Sequence, residues 1–385
     1  MSWPMVSIES VAKVITGKTP PKADPNCFGG NIPFITPSEL TDSDYLLKPE
    51  TTLTEKGLAT TKLIPKNSIL VCCIGSLGKM AIADLPVATN QQINSVIFDD
   101  DKIYYRFGFY ALKLLKNDLK KIAPSTTVAI INKSRFSELK IPCPPLEEQK
   151  RIATILDKAD GIHKKREQAI KLADDFLRAK FLEMFGTPAN NIHRFPKGTI
   201  RDLVDSVNYG TSAKASIDSG EYPILRMGNI TYQGRWDFTD LKYLDLSVKE
   251  KDKYLVKEGD LLFNRTNSKE LVGKTAVYEE DRPMAFAGYL IRVRPNSIGN
   301  NYYISGYLNS IHGKITLMNM CKSIVGMANI NAQELQNIEI LIPPKHLQDE
   351  YEIIYKKIKK GLSIYDKSAM QLQLLASNLS NKYFM

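Results

Sequence analysis

The chain is written twice. Ile32-Pro33-Phe34-Ile35, Leu63-Ile64-Pro65-Lys66-Asn67-Ser68-Ile69-Leu70 and Gly78-Lys79 are answered in order by Tyr222-Pro223-Ile224-Leu225, Leu255-Val256-Lys257-Glu258-Gly259-Asp260-Leu261-Leu262 and Gly273-Lys274. Later, Ala129-Ile130-Ile131-Asn132 returns as Ala328-Asn329-Ile330-Asn331, and Ile141-Pro142-Cys143-Pro144-Pro145 as Ile340-Leu341-Ile342-Pro343-Pro344. The offset is 190 at the first match, 192 at the second, 195 at the third and 199 at the last two. Offsets that grow in steps while the order holds mark a duplicated unit whose loops have lengthened. The 385 residues therefore suit two like cores, 1–145 and 186–343, each followed by a helical segment, 146–185 and 344–385.

Within each core, short β-rich runs alternate with turn signals, and a helical run begins after a Pro-Pro pair. Ser68–Ile74 and Asp260–Asn264, which follow the turns Lys66-Asn67 and Glu258-Gly259, read as buried strands. The helical runs carry a seven-residue period. Ile155, Ile162, Ala169 and Phe176 recur in the first run beside Leu156, His163, Ile170, Leu177 and Met184. In the second, Tyr351, Ile358, Tyr365, Leu372 and Leu379 recur beside Leu362, Ala369, Ala376 and Tyr383. Sustained heptads are what two helices need to wrap around each other. His163, Arg166 and Gly361 interrupt the seam. A helix over 146–184 would extend about 58 Å at ~1.5 Å per residue. The expected fold is mixed α/β, with two repeated globular domains separated by two long helices in an antiparallel coiled coil about a pseudo-twofold. Two separate helices, each on its own core, are the competing arrangement.

Composition narrows function more than it names it. The net charge of +10 favours an anionic partner, but 1–145, 146–185, 186–343 and 344–385 carry excesses of only +4, +1, +2 and +3. No basic tail or block stands out. No apolar run approaches the ~20 residues that span a bilayer, so no membrane role and a cytoplasmic location are expected. Cys27, Cys72, Cys73, Cys143 and Cys321 form no CxxC pair and the four histidines are scattered, so neither a metal nor a disulfide is expected.

Enzymatic motifs fail in detail. The Gly-Lys pairs lack the glycine five positions earlier and the following Ser or Thr of a phosphate loop: Cys73 and Met80 stand there around Gly78-Lys79. Glu138-Leu139-Lys140 has a nuclease-like spacing, yet its repeat counterparts are Asn337 and Glu339. Neither a glycine-rich cofactor turn nor an Asn/Asp-Pro-Pro-aromatic motif occurs, the Pro-Pro pairs following Cys143 and Ile342, so an amino-methyltransferase is not indicated. No catalytic residue and no cofactor is assigned.

Ile141-Pro142-Cys143-Pro144-Pro145-Leu146-Glu147-Glu148-Gln149-Lys150-Arg151-Ile152-Ala153 resembles the opening of the central helix of type I restriction–modification specificity subunits, with a partial echo at Ile342-Pro343-Pro344-Lys345-His346-Leu347-Gln348. Ile74–Lys79 with Asn90-Gln91-Gln92, and Phe263–Thr266 with Gly273-Lys274, are similar to loops of that family's target-recognition domains. The resemblance implies a non-catalytic subunit whose two target-recognition domains each read one part of a split double-stranded DNA sequence. It further implies two methyltransferase subunits as partners and restriction motor subunits held through them. S-adenosylmethionine, ATP and Mg²⁺ would belong to those partners. Glu148, Gln149 and Gln348 are expected to bind the partner subunits, and no cofactor is expected on this chain. A stand-alone DNA-binding regulator with the same geometry is the alternative, and a helical scaffold that never touches DNA is a third reading.

Base reading in the major groove calls for Arg, Lys, Asn or Gln on exposed loops. The candidates are Lys18, Lys22, Ser76, Lys79, Gln91, Gln92, Thr126 and Thr127 in the first copy, and Lys214, Arg226, Asn229, Arg265, Asn267, Lys269, Lys274, Tyr289 and Lys322 in the second.

Overall fold

The computed structural model describes residues 3–41, 44–122, 129–268, 270–324 and 327–363. The chain forms two compact units, one running to Lys164 and the other beginning at Lys165, so that each includes part of the first long helix.

The first copy holds β1 (Met5–Ser7), β2 (Ala12–Thr16), β3 (Phe28–Ile35), β4 (Thr52–Leu53), β5 (Ile69–Cys72), β6 (Met80–Ile82), β7 (Ala88–Thr89), β8 (Ile93–Phe98) and β9 (Lys140–Pro142). They pair as β2-β8-β5-β6, β4-β3-β7 and β1-β9. The second copy holds β10 (Lys197–Thr199), β11 (Val204–Tyr209), β12 (Tyr222–Leu225), β13 (Lys242–Leu244), β14 (Leu255–Val256), β15 (Leu261–Asn264), β16 (Thr266–Asn267), β17 (Thr275–Val277), β18 (Met284–Phe286), β19 (Leu290–Pro295), β20 (Lys322–Ile324), β21 (Met327–Asn329) and β22 (Glu339–Leu341). Their orders are β11-β19-β15-β17, β13-β12-β18-β14, β10-β22 and β16-β21-β20. The first three sheets of each copy therefore match in order, down to the parallel pairs β3-β7 and β12-β18, except that the fourth strand β14 of the second copy is represented in the first only by the isolated bridge between Ile64 and Val87.

The matched apolar runs are the central strands β5 and β15. Their period of two divides them between two cores. Ile69 and Val71 face the cluster containing Phe107 and Phe136, while Leu70 and Cys72 face Ile35, Ala81 and Val87. In the second copy Leu261 and Phe263 join Tyr303 and Ile304, while Leu262 joins Phe286 and Trp236. The preceding turns are also equivalent. Asn67 and Gly259 both take positive φ, 68° and 87°, and their N–H groups donate to Ala83 O at 2.7 Å and Tyr278 O at 2.8 Å.

The long helix, Leu146–Phe185, opens with Glu147 and Glu148 in its first turn, where carboxylates complement the exposed amides. Gly186, at φ 68°, closes it by donating to Leu182 O at 2.9 Å. Ile152, Ala153 and Leu156 enter the first core; Phe181 and Phe185 enter the second. A second helix occupies 345–363. Its Tyr351 meets Phe181 and Phe185 at ring distances of 5.4 and 5.9 Å, and Tyr355 and Lys359 lie beside Asp174 and Arg178, so the two helices run antiparallel where both are described. The heptad expectation needs correction. Ile162 and Phe176 are 41% and 50% exposed, so that column is not the buried seam; Leu156 and Leu177 are buried, with Phe181 one helical turn beyond Leu177. Tyr365, Ala369, Leu372, Ala376, Leu379 and Tyr383 lie outside the described residues.

Candidate nucleic-acid interface

The two hairpins that end the central strands, β5–β6 and β15–β17, share a backbone frame bond for bond. Cys72 and Asn264 donate to Lys79 O and Lys274 O, both at 2.8 Å. Gly78 and Gly273, at φ 76° and 77°, donate back to Cys72 O at 3.0 Å and Asn264 O at 2.8 Å. One residue further, Cys73 donates to Gln92 O at 2.8 Å and Arg265 to Tyr289 O at 3.0 Å. Ile131 and Ile330 donate to Cys73 O and Arg265 O, both at 2.9 Å. The neighbouring strand enters through Gly17 and Gly210, where a Cβ would fall 2.2 Å from Thr89 O and 2.3 Å from Phe286 O, so only glycine fits.

This frame pairs Cys73 with Arg265, Gln92 with Tyr289, Lys79 with Lys274 and Thr16 with Tyr209. The side chains on it differ. In the first copy Thr16 donates to Asn94 Oδ1 at 2.6 Å, Asn94 to Cys73 Sγ at 3.3 Å, and Asn90 to Gln92 Oε1 at 2.9 Å. Burial pushes the Cys73 thiol up to about 12, which makes it an inert packing group. In the second copy the Arg265 guanidinium lies 4.8 Å from the centre of the Tyr209 ring. Tyr209 accepts the Ala332 N–H at 2.9 Å, and Tyr289 is exposed beside them.

The expected reading residues divide among exposed loops, internal contacts, Gln92 among them as acceptor from Asn90 at 2.9 Å, and positions outside the described residues. Lys18, Lys22, Ser76, Lys79, Gln91 and Lys214 are exposed on these and adjoining loops, Gln91 accepting the Thr19 hydroxyl at 2.6 Å. Arg265, Asn267 and Tyr289 stand on the second hairpin and the strand beside it. Three more are engaged internally. Arg226 pairs with Asp240 at 2.8 Å. Asn229 is buried and donates to Asp237 O and Asp240 O at 2.8 and 3.0 Å, holding that loop closed. Lys274 is buried, and desolvation pulls its pKa down. Thr126, Thr127 and Lys269 lie outside the described residues, as does the side chain of Lys322, whose backbone is in β20.

Gln149 and Gln348, expected to meet partner subunits, take another place. Both are 0% exposed. Gln149 donates to Lys102 O and Pro144 O at 2.8 Å each and accepts the Tyr104 N–H at 2.9 Å. Gln348 donates to Ile298 O at 3.0 Å and Pro343 O at 2.8 Å. They latch each helix start to its own core: the Gln149 amide both donates and accepts, whereas Gln348 latches through its Nε2 alone, its buried Oε1 having no donor among the described residues. Glu148 is on the helix surface, paired with Arg151 at 2.6 Å. Among the described residues no group of three His, Cys, Asp or Glu side chains is placed to hold a metal, and no helix is long and apolar enough to cross a membrane.

Sequence reading missed Tyr209. The aligned glycines Gly17 and Gly210, at offset 193, were the available signal.

The profile of the type I restriction modification DNA specificity domain matches twice, over residues 2–172 and 195–376. Among curated proteins the chain is 23% identical to the MjaIX type I restriction enzyme specificity subunit of Methanocaldococcus jannaschii, over 99% of this chain and 92% of that protein. It is also 23% identical to the EcoKI specificity subunit of Escherichia coli K12, over 98% and 86%. Among solved structures, the type I restriction–modification S subunit from M. genitalium superposes with a TM-score of 0.64 at 18% identity, covering 100% of this chain and 96% of that one. A repeated mixed α/β core with two equivalent hairpin frames, matched over nearly its whole length in this way, belongs to the family of type I restriction–modification DNA specificity subunits.

Proposed function

We propose that this chain is the non-catalytic subunit that gives a type I restriction–modification complex its DNA sequence, acting in the cytoplasm and recognising a bipartite site with one half addressed by each copy. The observation that carries this reading is the pair of hairpin frames, matched in the four backbone bonds that hold each one and different at the tips and in the side chains. A shared frame presents whatever it carries to the same relative place on DNA, and different side chains then select different bases. Exposed Lys18, Lys22, Lys79 and Lys214 supply phosphate contacts that set register without sequence preference. Two methyltransferase subunits dock on the chain and carry restriction motor subunits; S-adenosylmethionine, ATP and Mg²⁺ belong to them.

The test is co-expression with the methyltransferase partner, purification of the assembly, and competition binding against duplexes altered in one half-site. Substitutions on the first hairpin should change preference in one half and those on the second in the other. Indifference of every duplex to hairpin substitutions would reject the reading.

A further inference from the structure

We propose that Arg265 addresses a guanine in the half-site read by the second copy, and that Tyr209 is the positioning residue that aims its guanidinium. The inference rests on the DNA-reading role above and gives that site a base. Most arginines inside this chain are spent on carboxylates: Arg106 on Asp44 and Asp157, Arg226 on Asp240, Arg235 on Asp174 and Arg294 on Asp260. Arg265 has no carboxylate or hydrogen-bonding acceptor for its guanidinium among the described residues, and its Nε is enclosed without a partner. What holds it is the face of Tyr209, 4.8 Å away, and that ring is itself fixed by the bond from the Ala332 N–H. The Arg265 backbone is tied on both sides, to Tyr289 and Ile330. An arginine fixed at backbone and ring, with its outer N–H groups uncommitted, is preorganised for an acceptor from outside the chain.

The acceptor pair that fits a planar fork in the major groove is guanine O6 with N7. A phosphate would satisfy the same charge without base preference. The first copy has no equivalent: buried Cys73 stands in place of Arg265 and Thr16 in place of Tyr209, while Arg106, one of the two arginines before residue 146, is buried in ion pairs. The guanine contact therefore belongs to one half-site only.

The experiment maps modified bases in cells carrying the native gene, Arg265→Ala, Tyr209→Phe or Tyr209→Leu, and measures binding of the assembled complex to duplexes with 7-deazaguanine at the guanine concerned. The expected result is a single guanine in one half turning degenerate in Arg265→Ala, with roughly 5- to 150-fold of discrimination lost. Removal of N7 should weaken the native complex and leave Arg265→Ala unaffected. Tyr209→Phe should keep the guanine preference, whereas Tyr209→Leu should lose much of it with an unchanged thermal midpoint and an intact other half. A uniform loss of binding to all duplexes in Arg265→Ala, a degenerate position other than guanine, or a silent Tyr209→Leu would overturn the proposal. Failure of the native complex to modify any bipartite sequence would strike the functional reading itself, and is visible separately because it appears in the unsubstituted protein.

Discussion

Replacing Gln149 with Ala tests whether this residue holds the chain together or serves a partner. The side chain is fully enclosed and satisfies three backbone groups: the carbonyls of Lys102 and Pro144, each at 2.8 Å, and the Tyr104 N–H at 2.9 Å. Truncation strands all three in a site closed to water. Each stranded group costs ~1–3 kcal/mol, so even with partial rehydration the loss should be about 3–5 kcal/mol. Against the ~5–15 kcal/mol that holds a domain, such a loss shifts the whole unfolding curve of the first unit. Because two units need not unfold together, the assay is urea denaturation read alongside hydrogen exchange at the Tyr104 amide, which should lose protection first. Gln149→Glu should be at least as damaging, since a carboxylate offers no donor to either carbonyl. A change under about 0.5 kcal/mol in the isolated chain, with weakened partner binding, would refute the latch and restore the surface role.

Three further outcomes follow from the same structure. Arg106→Leu, which leaves buried Asp44 with Lys164 at 3.4 Å as its one ion-pair partner among the described residues, should cost about 3–5 kcal/mol in the first unit, read as a fall in urea midpoint. Burial, with Arg178 and Lys274 nearby, pushes Lys314 down to about 8. The folded state therefore binds this proton less tightly than the unfolded chain, and stability should rise as pH climbs through about 8 toward the ordinary lysine range; the urea-midpoint gap between Lys314→Met and native should narrow over that interval. Gly210→Ala forces a Cβ to within 2.3 Å of Phe286 O, so it should abolish recognition of one half-site in competition binding and leave the half read by the first copy intact.

What the sequence disclosed was what repetition and period encode. The stepped offsets anticipated the matched sheet orders, and the apolar runs Ser68–Ile74 and Asp260–Asn264 anticipated the central strands, because burial on both faces leaves a continuous apolar signature. The helix seam was only half legible. A heptad count gives equal weight to Ile162 and Leu177, but which column is buried depends on the core each stretch of helix meets. Gln149 was opaque for a different reason: its main partners are backbone groups 45 and 47 residues away, which have no side-chain signature. Asn229 and Lys274 look like exposed readers in sequence and are enclosed in the fold, since a polar residue at a loop serves equally well to close that loop. Arg265 was selected by residue type and by its place on a hairpin loop after an apolar run, while the ring that orients it became visible only when Gly17 and Gly210 aligned the strand ends.

The central claim is that this one chain sets a split DNA sequence for its complex. The measurement that meets it most directly is a genome-wide map of modified bases in the host with and without the gene. The account predicts that methylation disappears from a single bipartite motif when the gene is removed and returns when it is restored. An unchanged map in cells where the methyltransferase partner is present and active would contradict it.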